Sequence, residues 1–344
     1  MMIIWGMVGN SHDASLAVFE RKIAGISSNV TTKLLWASLA KDFSDVPGDP
    51  KHSDKQIAMA RELYGEPEEI VWYEIPFLKS LRQWRAGQGT IRQVLKENNI
   101  HLYLKQWDLH NVKLRFAKHH TSHAAYGYYT QDKPNATIMC LDSIGEFETF
   151  TIWHAGEKDR KLRKIYSQGY PHSIGLFYSA MTQRMGLVAN RDEYLVSQMA
   201  NKIDTSENLH LVNDVLETFI QGPLDGRTPG VKFKHNLHKG ANWYKPDLTT
   251  EHDMDRLANA TQFVFEMIIG MQSKWCIENL DSRDLILTGG CALNRDAVNR
   301  IRTKWNSIYV PPNPGDPGSC IGAVLALSKK KIDFDPTIWY NSKA

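Results

Sequence analysis

Two histidines one helical turn apart could bind a metal ion. His119 and His123 lie in the run HHTSHAAYGYY (119–129), and residues four apart share one face of a helix. Both imidazoles could then bind one ion, although the glutamate of the zincin pattern HExxH is missing. Asp142, at the end of an apolar run, and Asp316, in the tight loop NPGDPG, could add carboxylates. Two imidazoles with carboxylates suit Fe²⁺ or another divalent ion such as Mn²⁺; the alternative is that both histidines are structural.

A hairpin tip and a glycine-rich turn could also carry chemistry. His12 and Asp13 lie in the polar turn GNSHD, where a neutral imidazole could take a proton from a hydroxyl, or where the histidine is merely exposed. The segment TGGCALN (288–294) follows an apolar run and precedes a predicted helix. Its glycines would let the backbone approach a phosphate, unless the segment is a plain tight turn. Tyr178, in SIGLFYSAMT (173–182), could offer a hydroxyl to a cleft or lie in the core.

The order of apolar runs predicts a plan of strand, polar turn, strand and strand that occurs twice. The predicted strands of the two copies lie at 3–8, 14–19, 23–27, 136–142, 147–155 and 161–168. Residues 29–53 are predicted to be irregular. Two lobes, each a mixed sheet flanked by helices, would place ligands in the cleft between them. We therefore predict an α/β fold whose lobes comprise residues 1–134, with the first hairpin and the HxxxH helix, and residues 135–344, with the glycine-rich turn and the Asp316 loop.

Composition narrows the class of protein. The chain has 344 residues, of which 42% are hydrophobic and 23% charged, as in ordinary globular proteins. No apolar run approaches the roughly 20 residues of a membrane span, and the N-terminus lacks the basic segment of a signal peptide. The four cysteines form no CxxC pair. We therefore expect reduced thiols, a cytoplasmic location and no membrane partner.

Basic residues are concentrated in two acid-free windows and in the compact run KDRKLRK (158–164) between them, although the net charge is only +3. Residues 75–96 and 226–246 contain no acid and mix cations with aromatic rings. Such windows can follow a phosphate backbone and stack on bases, or can simply form a solvated basic face. The candidate nucleic-acid contacts are Arg82, Trp84, Arg85, Lys232, Lys234, Trp243 and Tyr244.

Six motifs together resemble one family. In chain order they are GNSHDASLAV (9–18), HHTSHAAYGYY (119–129), LDSIGE (141–146), SIGLFYSAMT (173–182), TGGCALN (288–294) and PGDPGSCIGA (314–323). They look like the O-carbamoyltransferases of nodulation-factor and antibiotic biosynthesis, and the likeness extends over nearly the whole chain. The resemblance implies two actin/hexokinase/Hsp70-like (ribonuclease H-like) lobes with an interlobe cleft for nucleotide and metal.

The resemblance also implies roles for individual residues. His119, His123, Asp142 and Asp316 match metal ligands, commonly of Fe²⁺ in that family. His12, beside Asp13, matches the general base for the acceptor hydroxyl. The positions implied for nucleotide contact are Gly145, Gly289, Gly290 and Asn294, together with Tyr178 in its cleft helix.

The implied reaction uses carbamoyl phosphate and ATP, with Mg²⁺ as a further cofactor, to form a carbamoyl-adenylate. An acceptor hydroxyl then attacks the carbonyl carbon, and AMP leaves. The chain stops about where the family's C-terminal adenylate-forming domain would begin, so we expect a partner protein to supply the adenylate, one site to perform both steps, or direct use of carbamoyl phosphate. Leu195 also replaces a lysine of the family pattern, which weakens the match at the donor contacts. Besides an adenylate-forming partner protein, we expect that the chain could form a homodimer.

The acceptor is expected to be a hydroxymethyl pyrimidine of DNA, 5-hydroxymethylcytosine above all. Compact chains of this kind look like bacteriophage versions associated with modified DNA, which would act in the host cytoplasm, and the basic windows favour a polyanionic partner. A base would have to leave the stack to reach a buried site. The alternatives are a small sugar or antibiotic hydroxyl, a tRNA threonylcarbamoyl-adenosine-type transfer, a kinase or ATPase, a nucleotide-gated binding module, and an iron oxygenase.

Overall fold

A computed structural model describes residues 1–24, 29–158 and 160–340, and its strands form two five-stranded sheets with the same internal order. In each sheet the first strand pairs antiparallel with a two-strand hairpin on one side and parallel with later strands on the other. The first sheet, in the order β3-β2-β1-β4-β5, contains β1 (Met2–Val8), β2 (Ser15–Ala24), β3 (Asn29–Leu39), β4 (Glu69–Trp72) and β5 (Lys113–Phe116).

The second sheet repeats this plan. Read from its antiparallel edge, its order is β8-β7-β6-β11-β12. Its strands are β6 (Ala136–Leu141), β7 (Glu148–Ala155), β8 (Leu162–Gly169), β11 (Asp284–Thr288) and β12 (Ser307–Tyr309); β9 (Ile220–Gln221) and β10 (Lys232–Phe233) form a separate pair. The predicted α/β class with two mixed sheets is therefore confirmed.

Helices cover both sheets. Those of the first part of the chain are α1 (Lys41–Ser44), α2 (Asp54–Tyr64), α3 (Pro76–Arg85), α4 (Ile91–Glu97), α5 (Ile100–Leu104) and α6 (His119–Tyr129). Those of the second part are α7 (Ile174–Arg184), α8 (Glu193–Ala200), α9 (Leu209–Phe219), α10 (Glu251–Asn279), α11 (Arg295–Arg302) and α12 (Ser319–Ser328). Among the described residues, no helix is both long and apolar enough to cross a membrane.

The first meander differs from its prediction. Its third strand is β3, which lies within the 29–53 segment predicted to be irregular. The predicted strand at 23–27 overlaps the end of β2, and residues 25–28 lie outside the described residues. The second strand is thus longer than the predicted 14–19, because β2 continues through the charged residues Glu20, Arg21 and Lys22.

The last helix, α12, belongs to the first half. It packs against α6 and β1, and its buried side chains join the core under the first sheet. Farther on, Trp339 bridges to Ala37 of β3. The predicted boundary separates the two sheets, but assigning everything from 135 to 344 to the second lobe is wrong, because the chain crosses back after β12.

Candidate active site

The predicted metal ligands come from separate elements that end at one place. His119 and His123 lie in the first turns of α6, Asp142 follows β6, and Asp316 begins the short 3-10 turn Asp316–Gly318 before α12. The carboxyl ends of parallel strands meet at one edge of a sheet, which is where ligands usually bind. β5 and β6 belong to different sheets, and the polar residues that follow these two strands meet between the sheets.

All four side chains converge. The His119 Nε2 atom lies 3.1 Å from Asp142 Oδ2 and 3.2 Å from Asp316 Oδ1. The His123 Nε2 atom lies 3.4 Å from Asp316 Oδ1 and 3.1 Å from the Nε2 atom of His119. One ligand atom from each residue lies within 4.8 Å of the others, and all four residues are buried.

This donor set fits a divalent transition-metal ion. Two ligand atoms bound at right angles to one ion at about 2.1 Å are about 3.0 Å apart, and the contacts between His119 Nε2 and the two carboxylates are 3.1 and 3.2 Å. Two imidazole nitrogens facing each other compete for one proton but can both bind a cation. Imidazole with carboxylate is the mixture that suits Fe²⁺, Mn²⁺ or Zn²⁺.

The electrostatics of the cluster favour bound positive charge. Burial alone would lower the pKa of His119, but Asp316 and a hydrogen bond with Asp142 raise it well above its usual range. Burial alone would raise the pKa of each aspartate, yet His119 holds both values below their usual range. The carboxylates therefore stay ionised at neutral pH, buried where a cation is stabilised.

Neighbouring groups hold the four side chains in place. The Ser11 hydroxyl donates to Asp316 Oδ2 at 2.7 Å, and the backbone N–H of Gly290 donates to Asp142 Oδ1 at 3.2 Å. Ser319 Oγ lies 3.4 Å from His123 Nδ1. Such outer contacts orient metal ligands and sharpen their affinity.

The start of α6 is capped from the second half of the molecule. Lys118, at the N-cap, provides no side-chain cap. Instead the buried carboxylate of Glu146 accepts the His119 backbone N–H at 3.0 Å and the Ile75 N–H at 2.9 Å. A carboxylate at a helix N-terminus satisfies free N–H groups and interacts favourably with the helix dipole. Glu146 thus fixes His119 between the two sheets.

The cluster opens into a cavity of about 360 Å³ between the halves, within the usual range for small-molecule sites. Its first wall is built from the β1–β2 turn, the end of β4 and α3, and its second from the β6–β7 turn and α7. The charged and histidine side chains that line it are His12, Glu74, Lys79, Arg82, His119, Asp142, His238 and Asp316. Lys79 donates to Glu74 Oε1 at 2.7 Å, and Glu74 Oε2 lies 3.9 Å from His119 Nδ1.

Of the predicted catalytic pair, His12 lines this cavity and Asp13 does not. His12 is exposed at the hairpin tip, whereas Asp13 has a left-handed backbone with φ of 56°. Gly145 lines the cavity beside the cluster, since a Cβ atom there would lie 2.9 Å from the His119 ring. His12 and Gly145 therefore lie where a ligand bound beside the four-residue cluster would contact them.

The glycine-rich turn is also adjacent to the cluster. Gly289 has φ of 87°, and a Cβ atom on it would overlap the Leu141 carbonyl oxygen. Gly290 donates its N–H to Asp142, as described above. The close approach to the end of β6 therefore requires glycine at Gly289.

Tyr178 and Asn294 lie together but away from the cavity lining. The Tyr178 hydroxyl donates to Gln262 Oε1 at 2.7 Å, and Asn294 Nδ2 donates to the same oxygen at 2.9 Å. Asn294 also caps α11 by accepting the Ala297 N–H. These two predicted nucleotide contacts form a polar network with Gln262 of α10, a residue that the sequence alone did not suggest.

The candidate nucleic-acid residues separate into exposed and buried sets. Trp84 and Trp243 are exposed, as are Arg85, Lys232 and Lys234. Tyr244 is buried with its hydroxyl on Asp214 at 2.7 Å, so its ring cannot stack on a base. Arg82 is buried in the cavity wall rather than placed on the outer surface. Both assignments as surface contacts are corrected, because Tyr244 is only 3% exposed and Arg82 only 5% exposed.

Sequence reasoning missed several residues of the site. Ser11, Glu74 and Lys79 were not singled out, although Ser11 stands next to His12 and Lys79 lies in a basic window. Glu74 follows β4, a strand of four residues that is too short to show a period. His238 enters the cavity only through the fold.

Comparison with known proteins identifies the family. The family model described as carbamoyltransferase N-terminus matches residues 78–325. The chain belongs to this family.

Individual relatives of this carbamoyltransferase-family chain are distant. An uncharacterised protein of Synechocystis sp. is 28% identical over 264 residues, which are 73% of this chain and 42% of that protein. The chain thus spans less than half the length of that relative. Nodulation protein U of Bradyrhizobium diazoefficiens is 35% identical over 60 residues, 17% of this chain and 10% of its own. The crystal structure of full-length HypF in its phosphate- and nucleotide-bound form aligns with 95% of this chain and 55% of that chain at 11% identity and a TM-score of 0.44.

Proposed function

We propose that this chain carries the carbamoyl-transfer site of an O-carbamoyltransferase, with a divalent metal ion bound by His119, His123, Asp142 and Asp316. The observation that carries the proposal is the convergence of these four buried residues at a cavity that His12 also lines. A kinase or ATPase would need an acidic base and phosphate-bound Mg²⁺ but no pair of imidazole ligands. Membership of the carbamoyltransferase family supports the same choice.

In the proposed reaction an acceptor hydroxyl attacks the carbonyl carbon of a carbamoyl-adenylate. A new C–O bond forms, the bond between the carbamoyl carbon and the AMP oxygen breaks, and AMP leaves with that electron pair. His12, exposed on the cavity wall, would accept the hydroxyl proton. The bound ion would supply positive charge to the developing oxyanion.

Other parts of the cavity would hold the donor in place. Gly145 lines the cavity beside the His119 ring, and the turn at Gly289 and Gly290 packs against the end of β6 and Asp142; their backbone would contact the phosphate of the donor. The Lys79–Glu74 pair lies in the opposite wall. The donor itself would come from carbamoyl phosphate and ATP, through this chain or through an adenylate-forming partner.

For the acceptor, we propose 5-hydroxymethylcytosine in DNA. The support is the exposure of Trp84, Arg85, Lys232, Lys234 and Trp243, which offer cations and aromatic rings to a nucleic acid. The two basic windows contact each other, since Gln88 of the first window forms a hydrogen bond with His238 of the second. The base would have to leave the helix stack to enter the cavity.

An activity assay on the purified chain tests both proposals. The reaction would contain ATP, carbamoyl phosphate and Fe²⁺, with hydroxymethylcytosine DNA and unmodified DNA in parallel. Digested nucleosides would be analysed by mass spectrometry for replacement of hydrogen by CONH₂. Product on hydroxymethylcytosine alone supports both proposals, whereas product only on a sugar hydroxyl overturns the DNA acceptor. No product from chemically prepared carbamoyl-adenylate with any hydroxyl acceptor would overturn the transfer itself.

His12→Asn is the matched test of the base. We expect the transfer rate to fall by about 100-fold or more, because the hydroxyl would lose its proton acceptor. His252→Asn, at an exposed position at the start of α10, is the control and should leave the rate unchanged. An unchanged rate in His12→Asn would remove His12 from the mechanism.

A further inference from the structure

The cavity wall contains a buried cation whose positive charge is not matched by a carboxylate of its own. Arg82, on α3, is only 5% exposed and lines the cavity one helical turn after Lys79. The carboxylate that acts on it most strongly, Glu74, is already paired with Lys79 at 2.7 Å. A buried charge without a matching countercharge is costly, and a bound anion would remove that cost.

The hydrogen bonds of this guanidinium leave donors free. Arg82 can only donate, so its bond to Gln88 at 3.2 Å requires the amide oxygen of Gln88 on that side. The Gln88 amide nitrogen then donates to Nε2 of His238, which lies in the second half of the chain. With Nε2 accepting, the proton of the neutral His238 ring lies on Nδ1.

Two N–H groups linked through Gln88 therefore lack hydrogen-bond acceptors. Arg82 Nε and His238 Nδ1 are both buried, and neither has a hydrogen-bond partner among the described residues. Both side chains line the same cavity, one from each half of the molecule. Buried polar atoms are nearly always paired, so two unpaired donors linked through one amide indicate a missing acceptor.

The charges of the cavity show what that acceptor should be. Glu74 and Lys79 neutralise each other, and Asp142 and Asp316 face the two imidazoles of the cluster. Arg82 remains as unmatched positive charge. A planar guanidinium with several N–H donors matches the oxygens of a phosphate especially well.

We propose that Arg82 and His238, connected through Gln88, form a subsite for a phosphate or phosphate monoester of the ligand that fills this cavity. The identity of that ligand, though not the subsite, rests on the proposed function. The phosphate could belong to the nucleotide of the donor or to a hydroxymethyl nucleotide acceptor. Both sources present the same dianionic oxygens.

Binding of small phosphates to the full chain tests the subsite without turnover. Calorimetric titrations would use inorganic phosphate, AMP as the donor-side probe, 5-hydroxymethyl-dCMP as the acceptor-side probe, and the corresponding phosphate-free nucleoside. For Arg82→Gln we expect the Kd of the phosphate ligands to rise roughly tenfold or more, because hydrogen bonds to a charged group are lost, with no change for the nucleoside. The larger loss for AMP or for the hydroxymethyl nucleotide identifies the source.

Three further variants make the result decisive. Arg302→Gln removes the same charge at an exposed position of α11 and should bind all probes as the parent does. His238→Phe keeps a ring but removes the N–H donor, and Arg82→Lys keeps the positive charge but loses the forked guanidinium. Both variants should weaken phosphate binding, and they provide the test if Arg82→Gln fails to fold. Unchanged phosphate affinity in these variants, equal loss for the phosphate-free nucleoside, or no phosphate binding by the parent would overturn the proposal. Arg82-dependent phosphate binding without any carbamoyl transfer would overturn the proposed function alone.

Discussion

Asp142 and Asp316 are ionised carboxylates held within one hydrogen-bond length of buried imidazoles. Ser11 and the Gly290 N–H each occupy one of their oxygens, which leaves the others directed at His119 and His123. The HxxxH spacing predicted the pair of imidazoles, because four residues make one helical turn. Nothing in the spacing could predict which carboxylates join them, since Asp142 and Asp316 are far apart in the chain.

Removing one carboxylate should weaken metal binding strongly. We expect Asp316→Asn to lower the affinity for Fe²⁺ by at least about 100-fold, because it removes a charged ligand and leaves the imidazoles facing an amide. The measurement is metal content after anaerobic loading and dialysis. Asp247→Asn, at an exposed position, is the control. Equal iron in both variants would show that the cluster is not the metal site.

A buried histidine outside the cluster, His52, should make stability depend on pH. His52 is held between the Tyr103 hydroxyl at 2.7 Å and the Ser15 carbonyl at 3.0 Å, and burial lowers its pKa from 6.5 to about 4. Between those pH values the unfolded chain binds more protons than the folded one, so the free energy of unfolding falls as the pH drops from 6.5 towards 4. The full effect is about 3 kcal/mol.

Chemical denaturation across this pH window, in the parent and in His52→Gln, measures that effect. The variant should be less stable at pH 7 but should lose less stability on acidification. His120, also buried with its pKa lowered to about 3, contributes in the same direction in both proteins. Parallel pH curves would show that His52 does not titrate in this way.

At the scale of elements, turns and strand ends position the site. β1 and β6 are almost entirely apolar and buried, apart from the half-buried Met2 and the buried Thr137, as expected of central strands, and both were predicted from the sequence. β4 was missed because four buried residues show no period. β3 was missed because its Asn-Val-Thr-Thr-Lys start resembles a loop in composition, and only pairing with β2 makes it a strand.

The glycine-rich turn provides a test at this scale. Gly289→Ala should destabilise the protein by more than about 3 kcal/mol, because the methyl group would overlap the end of β6 in addition to the cost of a positive φ. Gly186→Ala, with φ of 78° and open space around it, should cost only about 1 kcal/mol. Thermal and denaturant unfolding of both variants give the comparison. Equal losses would mean that backbone conformation alone, rather than close approach, requires Gly289.

At the scale of the whole molecule, the two halves share one site and one crossing helix. The repeated plan of the two sheets was predicted from the order of apolar runs, and it is correct. The return of α12 to the first sheet was not predicted, because its apolar sequence fits either core equally well. Glu74, Lys79 and Arg82 of the first half and His238 of the second likewise come to line one cavity only through tertiary structure.

The charged surface leads to a prediction about salt. If DNA binds across the exposed parts of the two basic windows, replacing Arg85 and Lys234 together by glutamine should weaken binding uniformly across sequences. The slope of log K against log salt should decrease in magnitude by about 2, one unit for each lost phosphate contact. Fluorescence anisotropy with labelled duplex at several salt concentrations measures it. An unchanged slope would place the DNA elsewhere on the molecule or exclude it as the acceptor.

The late position of Asp316 has a consequence for biosynthesis. His119, His123 and Asp142 leave the ribosome long before Asp316 and α12 do, so the nascent chain exposes three of the four proposed metal ligands without the fourth. The first sheet also lacks the cover of α12 during this period. We therefore expect stable binding of the ion only after residues Asp316 to Ser328 have been synthesised. The core under the first sheet should become buried at the same stage. A stalled chain ending before that stretch should bind metal weakly and be readily cleaved by proteases.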